Sequence, residues 1–191
     1  MNRIRIAALS AAVSLAALGV TTFAPVALAA EATVEVGGAP MFPSKNIVEN
    51  AVNSKDHTTL VAAVKAAGLV DTLMTPGPFT VFAPVNKAFE KLPAGTVETL
   101  LKPENKATLT AVLTYHVVPG KMSAEDLKAM VKAGGGKASL KTVEGEDLSV
   151  VEAGRKLEIV DAKGGKSIVT IADVFQSNGV IHVVDSVLLP K

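Results

Sequence analysis

Apolar positions along the first two thirds of the chain fall in helical stripes. Beyond Gly134 they fall in short runs with the two-residue period of a strand. The densest stretch is Phe79–Phe89, FTVFAPVNKAF, which holds three of the six phenylalanines. Phe79-Thr80-Val81-Phe82 is wholly β-branched or aromatic and predicts a strand. Pro84 removes a backbone donor and biases Ala83 toward extended geometry, so the strand should stop there. Asn86 is expected to cap a helix whose Ala88, Phe89 and Leu92 form an apolar stripe. Phe79, Phe82 and Phe89 would then glue that helix to the sheet at the centre of the core.

Upstream, Ile47, Val48, Ala51 and Val52 predict a short amphipathic helix. Asp56 is expected to cap a second one, with Leu60, Val61, Val64 and Ala67 on one face and Gly68 closing it. Leu69, Val70, Leu73 and Met74 add an apolar turn, and Thr75-Pro76-Gly77-Pro78 turns the chain into the Phe79 strand. Downstream, Thr96 would cap a short helix carrying Val97, Leu100 and Leu101. Pro103 and Glu104 suit the first turn of a longer helix whose stripe is Leu109, Val112, Leu113 and His116. Ser123 to Asp126 reads as a capping box before Leu127, Met130 and Val131.

Five β-rich segments follow: Ser139–Val143, Leu148–Glu152, Leu157–Val160, Ser167–Ile171 and Val180–Leu189. Gly145, Gly154, Gly164-Gly165 and Asn178-Gly179 punctuate them at hairpin spacing. The last is apolar on both faces, Ile181, Val183, Val187 and Leu189 on one and Val180, Val184 and Leu188 on the other. Such a strand belongs in the middle of a sheet. Helices first and strands later imply one α+β domain without repeats.

The N-terminus has a different character. Arg3 and Arg5 precede an apolar run from Ile6 to Val20, and Ala27-Leu28-Ala29 is a small-residue cleavage box. This is the order of a secretory signal peptide over 1–29, cleaved after Ala29. Residues 30–45, with Gly37-Gly38 and Pro40 and Pro43, are expected to be a flexible leader, and the domain to span 46–190. Loss of Arg3 and Arg5 moves the formal charge from +1 to −1, which gives no electrostatic claim on nucleic acid or anionic membrane. No later stretch is expected to span a membrane. The absence of cysteine excludes a disulfide framework and a lipid anchor at the cleavage box. The expected location is secreted or periplasmic.

Three segments taken together carry a resemblance: FTVFAPVNKAF at Phe79–Phe89, the pair Tyr115-His116, and NGVIHVVDSVLLP at Asn178–Pro190. In that order they resemble the two motifs and the Tyr-His pair of the fasciclin (FAS1) domain, in its secreted bacterial single-domain form. One departure is Val85, where the family usually carries Thr or Ser. The resemblance implies a wedge of β-sheet with packed N-terminal helices, acting in adhesion or matrix association rather than catalysis. It also makes Tyr115 and His116 a candidate interaction site, since this region is implicated in receptor contact in adhesive relatives; against that, Tyr115 is the single tyrosine of the chain, and an aromatic beside an apolar helical stripe is usually core with its hydroxyl tethered.

The residues themselves nominate no chemistry. His57 stands at a helix start, where a solvated or capping role is expected; His116 and His182 lie among apolar neighbours and read as core histidines. No histidine pair has ligand spacing, there is no G-x-S-x-G, and the glycines at 134–136 lack P-loop context. No catalytic, cofactor-binding or metal residue is assigned, and no cofactor. Asn86, His116 and Asp185, one from each motif, are expected to form a buried structural polar cluster, with Asn86 and His116 in contact. The expected function is non-covalent binding, by a monomer, of a cell-surface or matrix protein or polysaccharide. The alternative is a periplasmic carrier of a small apolar ligand, which would need a closed apolar pocket of several hundred Å3, ligand pockets running to about 300–1,000 Å3.

Overall fold

The computed structural model of the chain describes residues 33–191. The expected signal segment lies outside the described residues. Most of the expected leader, by contrast, is built structure. Strands β1 (Val34–Val36) and β2 (Ala39–Met41) pair antiparallel across Gly37-Gly38. Both glycines take positive φ, 60° and 74°, which is what a two-residue hairpin turn requires. Val36 and Met41 point inward and are buried, while Pro40 sits exposed. Burial of those two side chains, not propensity, fixes a hairpin that would be marginal alone.

Helix α1 (Ile47–Ala51) opens with a capping box in which Asn46 and Glu49 satisfy each other's backbone N–H. A 3-10 turn, Lys55–His57, leads into α2 (Thr58–Ala67), which ends at Gly68 in the left-handed conformation. Helix α3 (Val70–Met74) and the Thr75–Pro78 turn deliver the chain to β3 (Phe79–Pro84). Asp56 falls inside the 3-10 turn and makes no cap. Asn86 is not a cap of its own helix either: it is the first residue of α4 (Asn86–Glu90), after Val85. Its Oδ1 instead accepts from Thr59 N–H at 3.0 Å and Thr58 Oγ1 at 3.2 Å, and its Nδ2 donates to the Lys55 carbonyl at 2.8 Å. The motif asparagine therefore caps α2 across space.

Helix α5 (Thr96–Leu100) follows Gly95, so Thr96 is its first residue rather than its cap. A 3-10 turn, Pro103–Asn105, precedes α6 (Lys106–Tyr115). Strand β4 (Val117–Pro119) is short, and α7 (Ala124–Ala133) starts with the Ser123–Asp126 capping box the sequence predicts. The remaining strands are β5 (Lys137–Lys141), β6 (Asp147–Ala153), β7 (Lys156–Val160), β8 (Lys166–Gln176) and β9 (Gly179–Val184). Strand β8 runs past its expected end because a bulge around Asp173 (φ 59°) absorbs a register shift.

Among the described residues these strands form a seven-stranded sheet in the order β4-β3-β9-β8-β7-β6-β5, with β3 and β9 parallel and the other pairs antiparallel. Strand β9 is interior and buried at every position. The α+β class predicted from the sequence is the one observed. The sheet also curls until its outer strands meet, where Val143 N–H, just past β5, donates to the β4 carbonyl of Val117 at 2.8 Å.

Because β3 and β9 lie in the curl, each face packs on a different core. Val81, Ala83, Ile181 and Val183 face the helices α1–α6 together with Leu60, Leu109 and Leu113. Phe82 and Val184 face a second core with Tyr115, Leu127, Leu148 and Ile159. The three phenylalanines thus do not act as one glue: Phe79 and Phe89 join the helical core, and Phe82 the other. Residues 79 and 82 differ by an odd number along a period-two strand, so opposite faces follow. Each fully buried Leu or Phe of this kind contributes about 1.5–3 kcal/mol. Asn178 ties the layers at the β8–β9 turn, accepting from Ile47 N–H at 3.0 Å and donating to the carbonyls of Leu73 and Thr75 at 2.7 and 3.0 Å.

Candidate functional site

Tyr115 is the last residue of α6, and His116 is the residue at which that helix stops. Both point inward: Tyr115 is 0% and His116 2% exposed. The Tyr115 hydroxyl donates to the Asp147 carbonyl at 3.1 Å and accepts from Ala162 N–H at 2.9 Å, so it pins two strand ends to the helix. Burial raises its pKa. A direct role for this pair at a partner surface is therefore corrected by their burial; in this fold they are core.

His116 is held at both ring nitrogens. Leu188 N–H donates to Nε2 at 3.0 Å, so Nδ1 carries the proton and donates to the Val112 carbonyl at 2.7 Å. Desolvation lowers its pKa to about 4, against weaker raising effects from the Val112 carbonyl and Asp161. His182 repeats the design. Asp173 N–H donates to Nδ1 at 3.3 Å, Nε2 donates to the Met122 carbonyl at 2.9 Å, and the ring stacks on Phe82 with centroids 5.8 Å apart. Burial lowers its pKa too. Both are neutral two-ended staples, as the apolar context of the sequence predicts.

The expected cluster of Asn86, His116 and Asp185 does not form, because each spends its polar atoms elsewhere. Asn86 serves α2, and His116 serves Val112 and Leu188. Asp185 accepts from Ile168 N–H at 2.9 Å and pairs with Lys91 at 3.3 Å. Burial pushes the Asp185 carboxyl up, but the Ile168 amide and Lys91 outweigh it and the net shift is downward.

His57 departs from the solvated role expected of it. It is 3% exposed, with Nδ1 2.9 Å from Ser54 Oγ. Its Nε2 is buried without a hydrogen-bond partner; the Ala83 carbonyl opposes the downward pKa shift that burial imposes, but is not at bonding geometry. His57 lines an apolar cavity of about 80 Å3 between the helices and the sheet, bounded also by Leu60, Val81 and Ile181. Among the described residues no three His, Cys, Asp or Glu are grouped to hold a metal ion, and no described helix is long and apolar enough to cross a membrane.

With motif residues turned inward on a curled sheet, the arrangement is a scaffold, and comparison with known proteins says which one. The fasciclin domain model matches residues 55–190. The chain belongs to the fasciclin family. It is 47% identical over 175 residues to Protein sll1483 of Synechocystis sp., covering 91% of this chain and 90% of that one. It is 36% identical over 145 residues to the immunogenic protein MPB70 of Mycobacterium bovis, covering 73% of this chain and 66% of that one. It is 38% identical to the transforming growth factor-beta-induced protein ig-h3 of Sus scrofa over 147 residues, which are 76% of this chain but 20% of that protein. Among solved structures, a FAS1 domain pair from the insect cell adhesion molecule fasciclin I superposes with a TM-score of 0.69 at 22% identity. That match covers 83% of this chain and 58% of that one. The fasciclin family assignment thus rests on the motifs, the sequence match and the fold together.

Proposed function

We propose that this fasciclin protein is an exported, non-enzymatic binding module for cell-surface or matrix association. The observation that carries the reading is membership of the fasciclin family over 55–190, a family of adhesion-related extracellular proteins. The structure is consistent in detail. His116 and His182, the histidines of the family motifs, spend both ring nitrogens on backbone groups inside the core and have none to offer a substrate. Binding then falls to the exposed surface. The alternative of a small apolar ligand carrier loses ground, because a cavity of about 80 Å3 is well below the roughly 300–1,000 Å3 of ligand pockets.

The test is retention of the purified protein by intact cells and isolated cell-surface fractions, together with fractionation of the producing cells. Saturable retention, and protein outside the cytoplasm, are expected. No retention at micromolar protein would overturn the adhesive reading.

A further inference from the structure

The cavity between the helices and the sheet is too small for a carrier's cargo, yet it holds a polar atom that the fold leaves unused. Among the described residues, the one buried side-chain nitrogen or oxygen without a hydrogen-bond partner is His57 Nε2, and its ring borders this cavity. The state of that nitrogen follows from Ser54, which is 2% exposed. A buried hydroxyl proton needs an acceptor, and the partner of Ser54 Oγ is His57 Nδ1 at 2.9 Å. Ser54 Oγ therefore donates, Nδ1 accepts, and Nε2 carries the ring proton. Burial keeps the ring neutral. A buried N–H donor at an apolar wall is a costly state that an incoming acceptor relieves.

The rest of the wall narrows what can supply that acceptor. Leu60, Val64, Val81, Leu113 and Ile181 make it aliphatic. Other polar groups on it are spoken for: Thr114 Oγ1 donates to the Thr110 carbonyl at 2.8 Å, and both nitrogens of His116 are bonded. A buried water makes about three hydrogen bonds and finds no such set here. The occupant is thus a mostly apolar body with one oxygen. An engineered cavity of roughly 150 Å3 takes benzene, so a space of about 80 Å3 admits about three or four non-hydrogen atoms. The Ala83 carbonyl lies beside Nε2 without reaching bonding geometry. A hydroxyl set between them accepts from Nε2–H and donates to that carbonyl, whereas a ketone or ether can only accept. Lys65 and Thr72 border the cavity and are exposed, which puts the way in between α2 and α3.

We propose that this cavity binds a short-chain alcohol, its hydroxyl seated between His57 Nε2 and the Ala83 carbonyl and its carbons against Leu60, Val81 and Ile181. The site is independent of the adhesive reading, and retention on cells bears on neither its presence nor its absence. So few atoms allow roughly millimolar affinity.

The experiment titrates the purified protein with propan-1-ol and, in parallel, with acetone, which has as many non-hydrogen atoms but no donor. Methyl NMR reads occupancy, and the nitrogen shifts of the His57 ring read its hydrogen bonding. His57→Phe removes the donor and keeps a ring in place, with circular dichroism to confirm folding. Val64→Leu narrows the cavity and leaves His57 intact. Saturable shifts of the Leu60, Val81 and Ile181 methyls and a displaced Nε2 signal are expected. Affinity should fall at least about tenfold in His57→Phe and weaken in Val64→Leu. Should His57→Phe not fold, the Nε2 signal of the wild type decides the same point. Shifts that never saturate, or a Nε2 signal that does not move, would overturn the site. Equal affinity of the wild type and His57→Phe would reduce it to an apolar void and remove the hydroxyl anchor. Acetone bound as tightly as propan-1-ol would overturn the assignment to an alcohol.

Discussion

Acid should unfold this protein through its histidines, and His116 allows the size of the effect to be worked out. The neutral ring accepts from Leu188 and donates to Val112. A second proton on Nε2 would set two donors against each other in a site that is 2% exposed. Its folded pKa of about 4 lies below the ordinary 6.5. The unfolded chain takes up the proton near 6.5 and the folded chain only near 4, so stability is lost as pH falls between them. At ~1.4 kcal/mol per unit this is about 3 kcal/mol by pH 4. His57 and His182, also lowered by burial, act in the same direction. The lowered carboxyls of Asp126 and Asp185 stabilise the fold at neutral pH and lose that contribution only at lower pH, below the usual carboxylate range. Urea melts followed by circular dichroism from pH 7.5 to 4.5 read the slope. His116→Gln should be less stable at pH 7.5 yet converge on the wild type by about 2 kcal/mol as the pH falls. Parallel stability curves for the two proteins would refute the argument.

Other perturbations have defined outcomes. A Cβ on Gly179 would run into the Phe79 carbonyl oxygen, so Gly179→Ala should cost about 1–3 kcal/mol in urea melts. Gly154→Ala meets no neighbouring atom and should cost only the roughly 1 kcal/mol of its left-handed backbone, φ 67°. Asn178→Ala leaves Ile47 N–H and two carbonyls unsatisfied and should destabilise by roughly 2–4 kcal/mol, with early hydrogen exchange in α1 and α3. Asn86→Ala should cost about 1 kcal/mol and raise exchange at the start of α2 rather than α4, since it is α2 that it caps. Leu148→Ala, at a site 0% exposed, should cost about 2–5 kcal/mol in thermal melts.

Much of the fold was legible because it is written in local pattern. The Ser123 capping box, the Gly68 stop and the both-faced burial of β9 depend on neighbours a few residues away. What escaped depends on partners far along the chain. Asn86 has the chemistry of a cap, but which helix it caps is set by the approach of α2, 27 residues upstream. The β1–β2 hairpin is short enough to pass for a linker until Val36 and Met41 find the helical core. For the site, neutral core histidines could be inferred from flanking Val and Ile. The burial of Tyr115 could be inferred too, as an aromatic beside an apolar helical stripe, but not that its hydroxyl would tie Asp147 and Ala162, more than thirty residues further along the chain.

The hydrogen bond from Val143 to Val117 has a consequence for how such a protein can hold on to anything. An open sheet can recruit a foreign strand along its border, and a protein crowded at high density on a surface would then recruit its own copies into filaments. Here one border is stitched to the other, the β4 side ends in Pro119, and the β5 side presents Lys137 and Lys141. Strand addition along this sheet is thereby disfavoured, which leaves grip mainly to side chains and loops and lets grip and self-association be tuned independently.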